Sequence, residues 1–285
     1  MNLLLVGGTG KVGQVVLKYL QGLGHSIRIL TTSDEKASAF PEDIEGIVGD
    51  LNDKDSAVPA FRDIDVVFLL TAHTQQEVQQ GENAVDLAKD AGVKKIVFQS
   101  IHLAANAPEV EHFLSKVLIE EAIEASGLDY VFISPNNFYQ NDLLFKDAIV
   151  NHIYNQPIGS VGLSRVDVRD IAQAVVNVIE TDKFNGQNIA LAGPDVLTGE
   201  QTAQILTEQL GYDVQYSGDD LESFKKTMYQ FLPTWMVDDW ATMYDFFQRE
   251  GLIATDEQLA LLEDVLGRKP IAYRDFLKDN LSYFQ

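Results

Sequence analysis

Short apolar runs alternate with amphipathic stretches through the first half of the chain. Residues 2–6, 26–30, 44–48, 65–70, 95–99 and 129–133 are each too short for a buried helix. All are followed closely by a small or polar residue, so the pattern predicts six strands buried on both faces. Between them, residues 14–20, 57–61, 75–91 and 111–126 place apolar side chains at helical spacing. Strands that alternate with helices imply βαβ units, and right-handed crossovers then lead to a doubly wound α/β fold with a parallel sheet.

The pattern changes after Pro135. Asn136 and Asn137 open a polar loop, residues 143–151 and 170–179 have helical periodicity, and residues 187–192 form a late strand that ends at Gly193-Pro194. Thr198 and Gln201 have the spacing of a capping box at a helix start. From Asp219 onward the chain is helical and aromatic, with Phe231, Trp235, Trp240 and Phe247 expected to be mostly core. The expected organisation is a dinucleotide-binding domain over 1–134, joined by about 162–185, interleaved with a smaller, mostly helical lobe over 135–285.

The nucleotide assignment comes from the first turn. The strand 2–6 runs directly into Gly7-Gly8-Thr9-Gly10-Lys11-Val12-Gly13, and an amphipathic helix follows without a gap. Gly8-x-Gly10-x-x-Gly13 in that setting is the fingerprint of a Rossmann sheet that binds a dinucleotide. The first glycine is expected to allow the tight turn, Gly10 to admit a pyrophosphate, and Gly13 to bring the helix close to the strand. The helix start then offers N–H groups and partial positive charge to the phosphates.

Composition narrows the partners. The formal net charge of −22 repels phosphate backbones and anionic lipid, so direct nucleic-acid and membrane contacts are not expected. The absence of cysteine excludes disulfides, a thiolate nucleophile and cysteine-based zinc sites, and is compatible with a reducing cytoplasm. Nothing reads as a signal peptide or a membrane span. His25, His73 and His152 show no metal-ligand spacing, so no metal is expected.

Ligands of open α/β sheets bind beyond the carboxyl ends of the strands, so the residues just past each strand are the candidates. Thr31-Thr32-Ser33 follows the second strand and lacks the acid that grips the ribose of NAD. Its hydroxyls and Lys36 favour NADP, whereas Asp34 favours NAD. Asp50 and Leu51 follow the third strand, where Asp50 either meets the adenine or caps the next turn. Thr71 and Ala72 follow the fourth and suit passage beside the ribose. Ser100 ends the fifth and points toward the nicotinamide pocket.

The helix 111–126 carries His112 and Lys116 one turn apart, with Glu120 and Glu124 further along. One reading is a solvated face with a Lys116–Glu120 pair worth a few tenths of a kcal/mol. The other sets Lys116 on the cofactor ribose and His112 near the substrate as a proton donor. His102 competes for that second role.

Taken in order, these pieces resemble the short-chain dehydrogenase/reductase superfamily, and more closely its atypical NmrA-like branch. Further pieces are Lys95 to Ser100, Ser126-Gly127-Leu128-Asp129-Tyr130, Val166-Asp167-Val168-Arg169-Asp170-Ile171-Ala172 and Leu266-Gly267-Arg268-Lys269-Pro270. The resemblance implies NAD(P) across the glycine loop, with Pro135, Asn137 and Phe138 also at the cofactor. The superfamily's catalytic tyrosine, four residues before its lysine, is replaced here by His112. An arginine common after the second strand is replaced by Thr32, which weakens the case for NADP.

Two functions fit. The first is an NAD(P)H-dependent oxidoreductase acting on a small quinone-like or carbonyl substrate, with Ser100, His112 and Lys116 in the catalytic site. The second is a non-catalytic redox sensor that works through protein partners. Partners are expected to be a small-molecule substrate and either a second copy of the chain or another protein.

Overall fold

The apolar run Asn2–Val6 forms β1, buried from Leu3 onward. In a computed structural model describing residues 1–284, it lies inside a seven-stranded sheet of order β3-β2-β1-β4-β5-β6-β8. The other strands are β2 (Ser26–Thr31), β3 (Ile44–Val48), β4 (Val66–Leu69), β5 (Lys95–Gln99), β6 (Asp129–Pro135) and β8 (Gln187–Leu191), and every pairing from β3 through β6 is parallel. The two-residue strands β7 (Ile153–Tyr154) and β9 (Gln215–Tyr216) form a separate parallel pair with no counterpart in the sequence reading. Two residues carry too little alternation to register as a strand.

The chain divides into two units. The first comprises residues 1–104, 115–134 and 171–189. It holds α1 (Lys11–Leu20), α2 (Asp34–Ser38), α3 (Lys54–Phe61), α4 (Glu77–Asp90) and most of α5 (Glu111–Ser126). Leu4, Val6, Val67, Leu69, Ile96, Phe98 and Phe132 of the sheet form one core with Ala60, Phe61, Ala84, Val85, Ala88, Ile119 and Ile123 of α3, α4 and α5. Leu3 and Leu5 are equally buried and, by strand alternation, face the other way. A sheet buried on both faces requires helices on both, which accounts for the near-continuous apolar strands.

The second unit comprises residues 105–114, 135–170 and 190–284 as described. The helix expected over 143–151 is instead a 3₁₀ segment, Tyr139–Phe145, followed by the short α6 (Lys146–Val150). The expected helix at 170–179 begins two residues earlier as α7 (Val168–Ile179), most of which belongs to the first unit. Then come α8 (Gly199–Leu210), α9 (Leu221–Met228), α10 (Thr234–Glu250), α11 (Asp256–Leu266) and α12 (Tyr273–Asn280). The capping box of Thr198 and Gln201 is formed, and Thr255 with Gln258 makes a second. Phe247 is core, but Phe231 is 74% exposed, because it follows the end of α9 instead of lying on a buried helix face. No helix among the described residues is long and apolar enough to cross a membrane.

Lys95 shows how a cation is used inside the first unit. Its buried Nζ donates to the carbonyls of Val178 and Thr181, each at 2.7 Å, at the end of α7. Burial holds its ammonium below the usual lysine range, against the pull of Asp182 and Asp129. Lys95→Met removes the charge and leaves two helix-end carbonyls unpaired, at a cost of about 2 kcal/mol. Urea denaturation is expected to show that loss, with a nucleotide affinity equal to the parent's.

Candidate functional site

Strand order reverses between β1 and β4, so the crevice beyond their carboxyl ends is the switch point of the sheet. The glycine loop leaves β1 there and Thr71 follows β4. The tight turn falls on Gly7, with φ of +81°, and not on Gly8 as the motif suggests. A side chain on Gly13 would meet the carbonyl oxygen of Gly7 at 2.2 Å and Cα of Gly8 at 2.6 Å, so only glycine brings α1 this close to the turn. Gly10 differs, since its added Cβ would meet only the Gly7 oxygen, at 3.3 Å.

Gly10 is the N-cap of α1, and no side chain caps that end. The first turn also lacks any acid, in a chain with 43 acidic and 21 basic residues. Neither a side-chain cap nor a first-turn acid therefore neutralises the backbone N–H groups and the positive end of the helix dipole at this start. That arrangement fits a pyrophosphate, with Thr9, Lys11 and Val12 completing the loop.

The segment after β2 is more committed to its own backbone than the sequence suggests. Thr31 Oγ1 accepts from the Ser33 amide at 3.3 Å, and Ser33 Oγ caps α2 by accepting from the Lys36 amide at 3.2 Å. Thr32 is exposed. Asp34 and Glu35 begin α2, so the local charge is negative. Asp50 Oδ1 accepts from the Asn52 amide at 2.8 Å and from the Asn52 side chain at 3.0 Å. Leu51 belongs to the hydrophobic core. Ala72 is exposed.

Lys116 stands at the centre of the first unit's polar network. Its Nζ is 2.7 Å from Glu77 Oε1 and donates to Thr71 Oγ1 at 2.8 Å. The Thr71 hydroxyl donates to Glu77 Oε1 at 2.7 Å, and Ser115 Oγ donates to Glu77 Oε2 at 2.9 Å. The ammonium also lies 5.3 Å from the Phe98 ring centroid, within cation–π range. Glu77 is 2% exposed and Lys116 6%. The solvated Lys116–Glu120 pair considered from the sequence is thus replaced by a buried Lys116–Glu77 pair.

Gly81, one turn after Glu77, makes this pairing possible. A Cβ there would meet Ile119 Cγ1 at 2.4 Å, so α4 and α5 approach closely where Gly81 faces Ile119. One turn earlier on each helix are Glu77 and Ser115, with Lys116 beside it. Burial pushes the Glu77 carboxyl up, but the Lys116 charge and the hydrogen bonds from Lys116, Thr71 and Ser115 outweigh it and hold the group below its usual range.

Ser100 is 1% exposed, and its hydroxyl has no well-formed hydrogen bond. Glu120 Oε1 is likewise unpaired. Burial raises the Glu120 carboxyl, with the Ser100 hydroxyl and Lys116 acting against that rise and Glu124 adding to it. Ser100 and Thr71 therefore put polar atoms at the ends of β5 and β4, with the Lys116 ammonium on Thr71.

In the second unit, Pro135 is buried, and Asn137 and Phe138 follow it in a half-buried loop. Arg165, fully buried, holds that loop from beneath. Its Nε donates to Asn137 Oδ1 at 3.1 Å and its Nη2 to the Phe138 carbonyl at 2.9 Å. The guanidinium charge is met by Asp142, at 2.7 Å from Nη2 and 3.2 Å from Nη1. Tyr273 and Gln156 also donate to Asp142, each at 2.5 Å. Arg165 was not picked out from the sequence, where it stands among Asp167, Arg169 and Asp170 with nothing to mark it as the buried one. His112 belongs to this unit and pairs with Asp239 of α10. His102, the competing proton donor, is buried.

Comparison with known proteins agrees with this architecture. The chain is 27% identical to an NAD(P)H azoreductase of Xenophilus azovorans over 287 residues, covering 99% of each chain. It superposes on an NADPH-dependent quinone oxidoreductase of Escherichia coli, solved with NADPH, at a TM-score of 0.88 and 23% identity, covering 98% of this chain and 99% of that one. A triphenylmethane reductase of Citrobacter sp., solved with NADP(H), gives 0.87 at 21%, with the same coverage. The model of the NmrA-like family matches residues 1–277, from the glycine loop through most of α12, and the chain belongs to that family.

Proposed function

We propose that the protein is an NAD(P)H-dependent reductase that passes hydride to a small quinone-like or carbonyl acceptor. The observation that carries this reading is the α1 start: uncapped, free of acid and opened at Gly10 beside the switch point. One relative of nearly equal length is an NAD(P)H azoreductase. When bound, the nicotinamide supplies the hydride, and the protein supplies orientation and protons.

Gly7, Gly8, Thr9, Gly10, Lys11, Val12 and Gly13 hold the pyrophosphate in this account. Thr31, Thr32 and Ser33 meet the adenosine ribose, with Asp50 and Leu51 near the adenine. Thr71, Ala72, Ser100 and Lys116 line the path to the nicotinamide. Pro135, Asn137 and Phe138 are assigned to the cofactor from the family resemblance alone. The hydroxyls after β2 and Lys36 leave a slight preference for NADP, which Thr32 in place of an arginine keeps small, so NAD is also accepted. Residues 1–134, joined by 162–185, form the nucleotide domain, and 135–285 the substrate lobe. Such an acidic, cysteine-free protein belongs in a reducing cytoplasm, with small molecules or proteins as partners and not nucleic acid.

Lys116 acts as a fixed charge. Glu77 and Thr71 hold its Nζ in place, so it orients hydroxyl groups of the bound nucleotide. Protons reach the reduced acceptor from His112 or from water. A quinone needs little help from a protein acid, which makes the missing tyrosine tolerable.

Thermal unfolding with each of NADPH, NADP, NADH and NAD tests binding, since ligand at 100 times its Kd stabilises by about 2.7 kcal/mol. No shift with any of the four overturns the reading. A panel of quinones and carbonyl compounds tests turnover. Binding without turnover across that panel turns the protein into a sensor. His112→Ala is expected to lower turnover while leaving nucleotide affinity intact, and unchanged turnover removes His112 from the reaction.

A further inference from the structure

α10 buries Val237, Ala241, Tyr244, Phe246 and Phe247, and a single acid, Asp239, lies among them. A lone carboxylate on an apolar face costs several kcal/mol unless it is paired and hydrogen-bonded. Asp239 grips His112 at two points. Asp239 Oδ2 is 2.5 Å from His112 Nδ1, and Oδ1 accepts from the His112 amide at 3.3 Å. The carboxylate is 1% exposed and the imidazole 13%. The ring also packs edge-on against Phe113 at 4.8 Å between centroids, and Phe113 in turn meets Phe246 and Phe247. The imidazole is thus fixed in both position and rotation.

An ionised carboxylate has no proton to give, so the proton of this bond must sit on His112 Nδ1. We propose that Asp239 is a positioning residue that locks His112 into the Nδ1–H form and thereby commits Nε2 to proton transfer. The proposal rests on the reductase reading for its chemistry. Hydride arriving at an acceptor carbonyl leaves an oxyanion. His112, as imidazolium, gives up its Nε2 proton: the N–H bond breaks, an O–H bond forms, and the electron pair of the broken bond stays on Nε2. The neutral imidazole that remains keeps its Nδ1 proton on Asp239, so the ring does not have to reorient before it is recharged from water. The two electrons come from the dihydronicotinamide, and the proton comes from His112.

The alternative is purely structural, since Asp239 also lies at the start of α5 and caps it by accepting from the His112 amide. Asp239→Asn separates the two roles. Asparagine keeps an oxygen for the amide, but its NH₂ faces Nδ1 and forces the ring proton onto Nε2.

The test combines two readouts. Long-range ¹H–¹⁵N spectra of the whole chain, recorded on the plateau where the His112 ring signals no longer change with rising pH, report which ring nitrogen carries the proton. His112→Gln assigns the signal among the five histidines. The expected result is Nδ1–H in the parent and Nε2–H in Asp239→Asn. The variant should show nucleotide affinity equal to the parent's and kcat reduced roughly a hundredfold. An Nε2–H ring in the parent, or an unchanged kcat in a variant whose tautomer has flipped, overturns the proposal. Asp239→Glu is a second variant if asparagine impairs folding, and it is expected to retain Nδ1–H and partial activity. The absence of turnover in a parent with the expected tautomer rejects the reductase reading and with it the catalytic part of the proposal, while the spectra have confirmed the positioning contact.

Discussion

Glu77→Leu is expected to destabilise the protein by about 3–5 kcal/mol, because it leaves the Lys116 ammonium buried without its counter-charge. For a chain of this size that is a fall in Tm of roughly 10 °C. The same substitution removes the acceptor for Ser115 Oγ and one of two acceptors around Thr71 and Lys116. Combining Glu77→Leu with Lys116→Met is expected to restore most of the stability, because replacing both members of a buried pair by apolar residues is often neutral. The double variant is then stable but defective in nucleotide binding, which separates the role of the pair in the site from its role in folding. A single Glu77→Leu variant as stable as the parent contradicts the account of the pair.

The sign of the pH dependence follows from the same contacts. Glu77 has its carboxyl held below the usual range in the folded state. Its contribution to stability is therefore complete above the unfolded value of about 4.3 and is lost as the pH falls through the lower folded value. Urea denaturation from pH 7 downward is expected to show a drop in this range that the double variant lacks.

Gly13→Ala carries the second large effect. The added methyl would lie 2.2 Å from the Gly7 oxygen and 2.6 Å from Gly8 Cα, and both are backbone atoms that cannot turn aside. α1 must move away from the loop, which misplaces the N–H groups at its start. Nucleotide affinity is expected to fall at least a hundredfold, or about 2.7 kcal/mol, measured by titration calorimetry. Gly10→Ala is the instructive comparison. It meets little protein but intrudes where the pyrophosphate is proposed to lie, so it should cost affinity with little cost in stability. A Gly13→Ala variant that binds as tightly as the parent would show that α1 does not present its N-terminus to the ligand.

The strand and helix alternation was legible because burial on both faces leaves a local signature in every strand from β1 to β6. The glycine loop was legible for the same reason, since turn, cap and helix start are consecutive in the chain. Within it, the tight turn lies one residue earlier than the motif suggests, because Gly7 and not Gly8 packs against the Leu70 carbonyl.

The partners of the site residues were not legible, because they come from distant parts of the chain. Lys116 has Glu120 four residues away, and sequence spacing alone favours that pair. The structure prefers Glu77 because Gly81 lets α4 approach α5, a property of two helices together. Asp239 lies 127 residues from His112 and resembles its half-buried neighbour Asp238 until the buried face of α10 is known. The hydroxyls after β2 looked available for a phosphate, yet two of them serve the local backbone, a use that depends on the turn geometry.

The central claim is that a dinucleotide held on the glycine loop gives up its hydride to a small acceptor. Stopped-flow absorbance of the dihydronicotinamide, on mixing the NADPH- or NADH-loaded protein with a quinone, tests it most directly. The expected result is oxidation that depends on the acceptor, is retained by the parent and is lost with Gly13→Ala. Dihydronicotinamide that binds tightly and remains unoxidised with every acceptor would contradict the account.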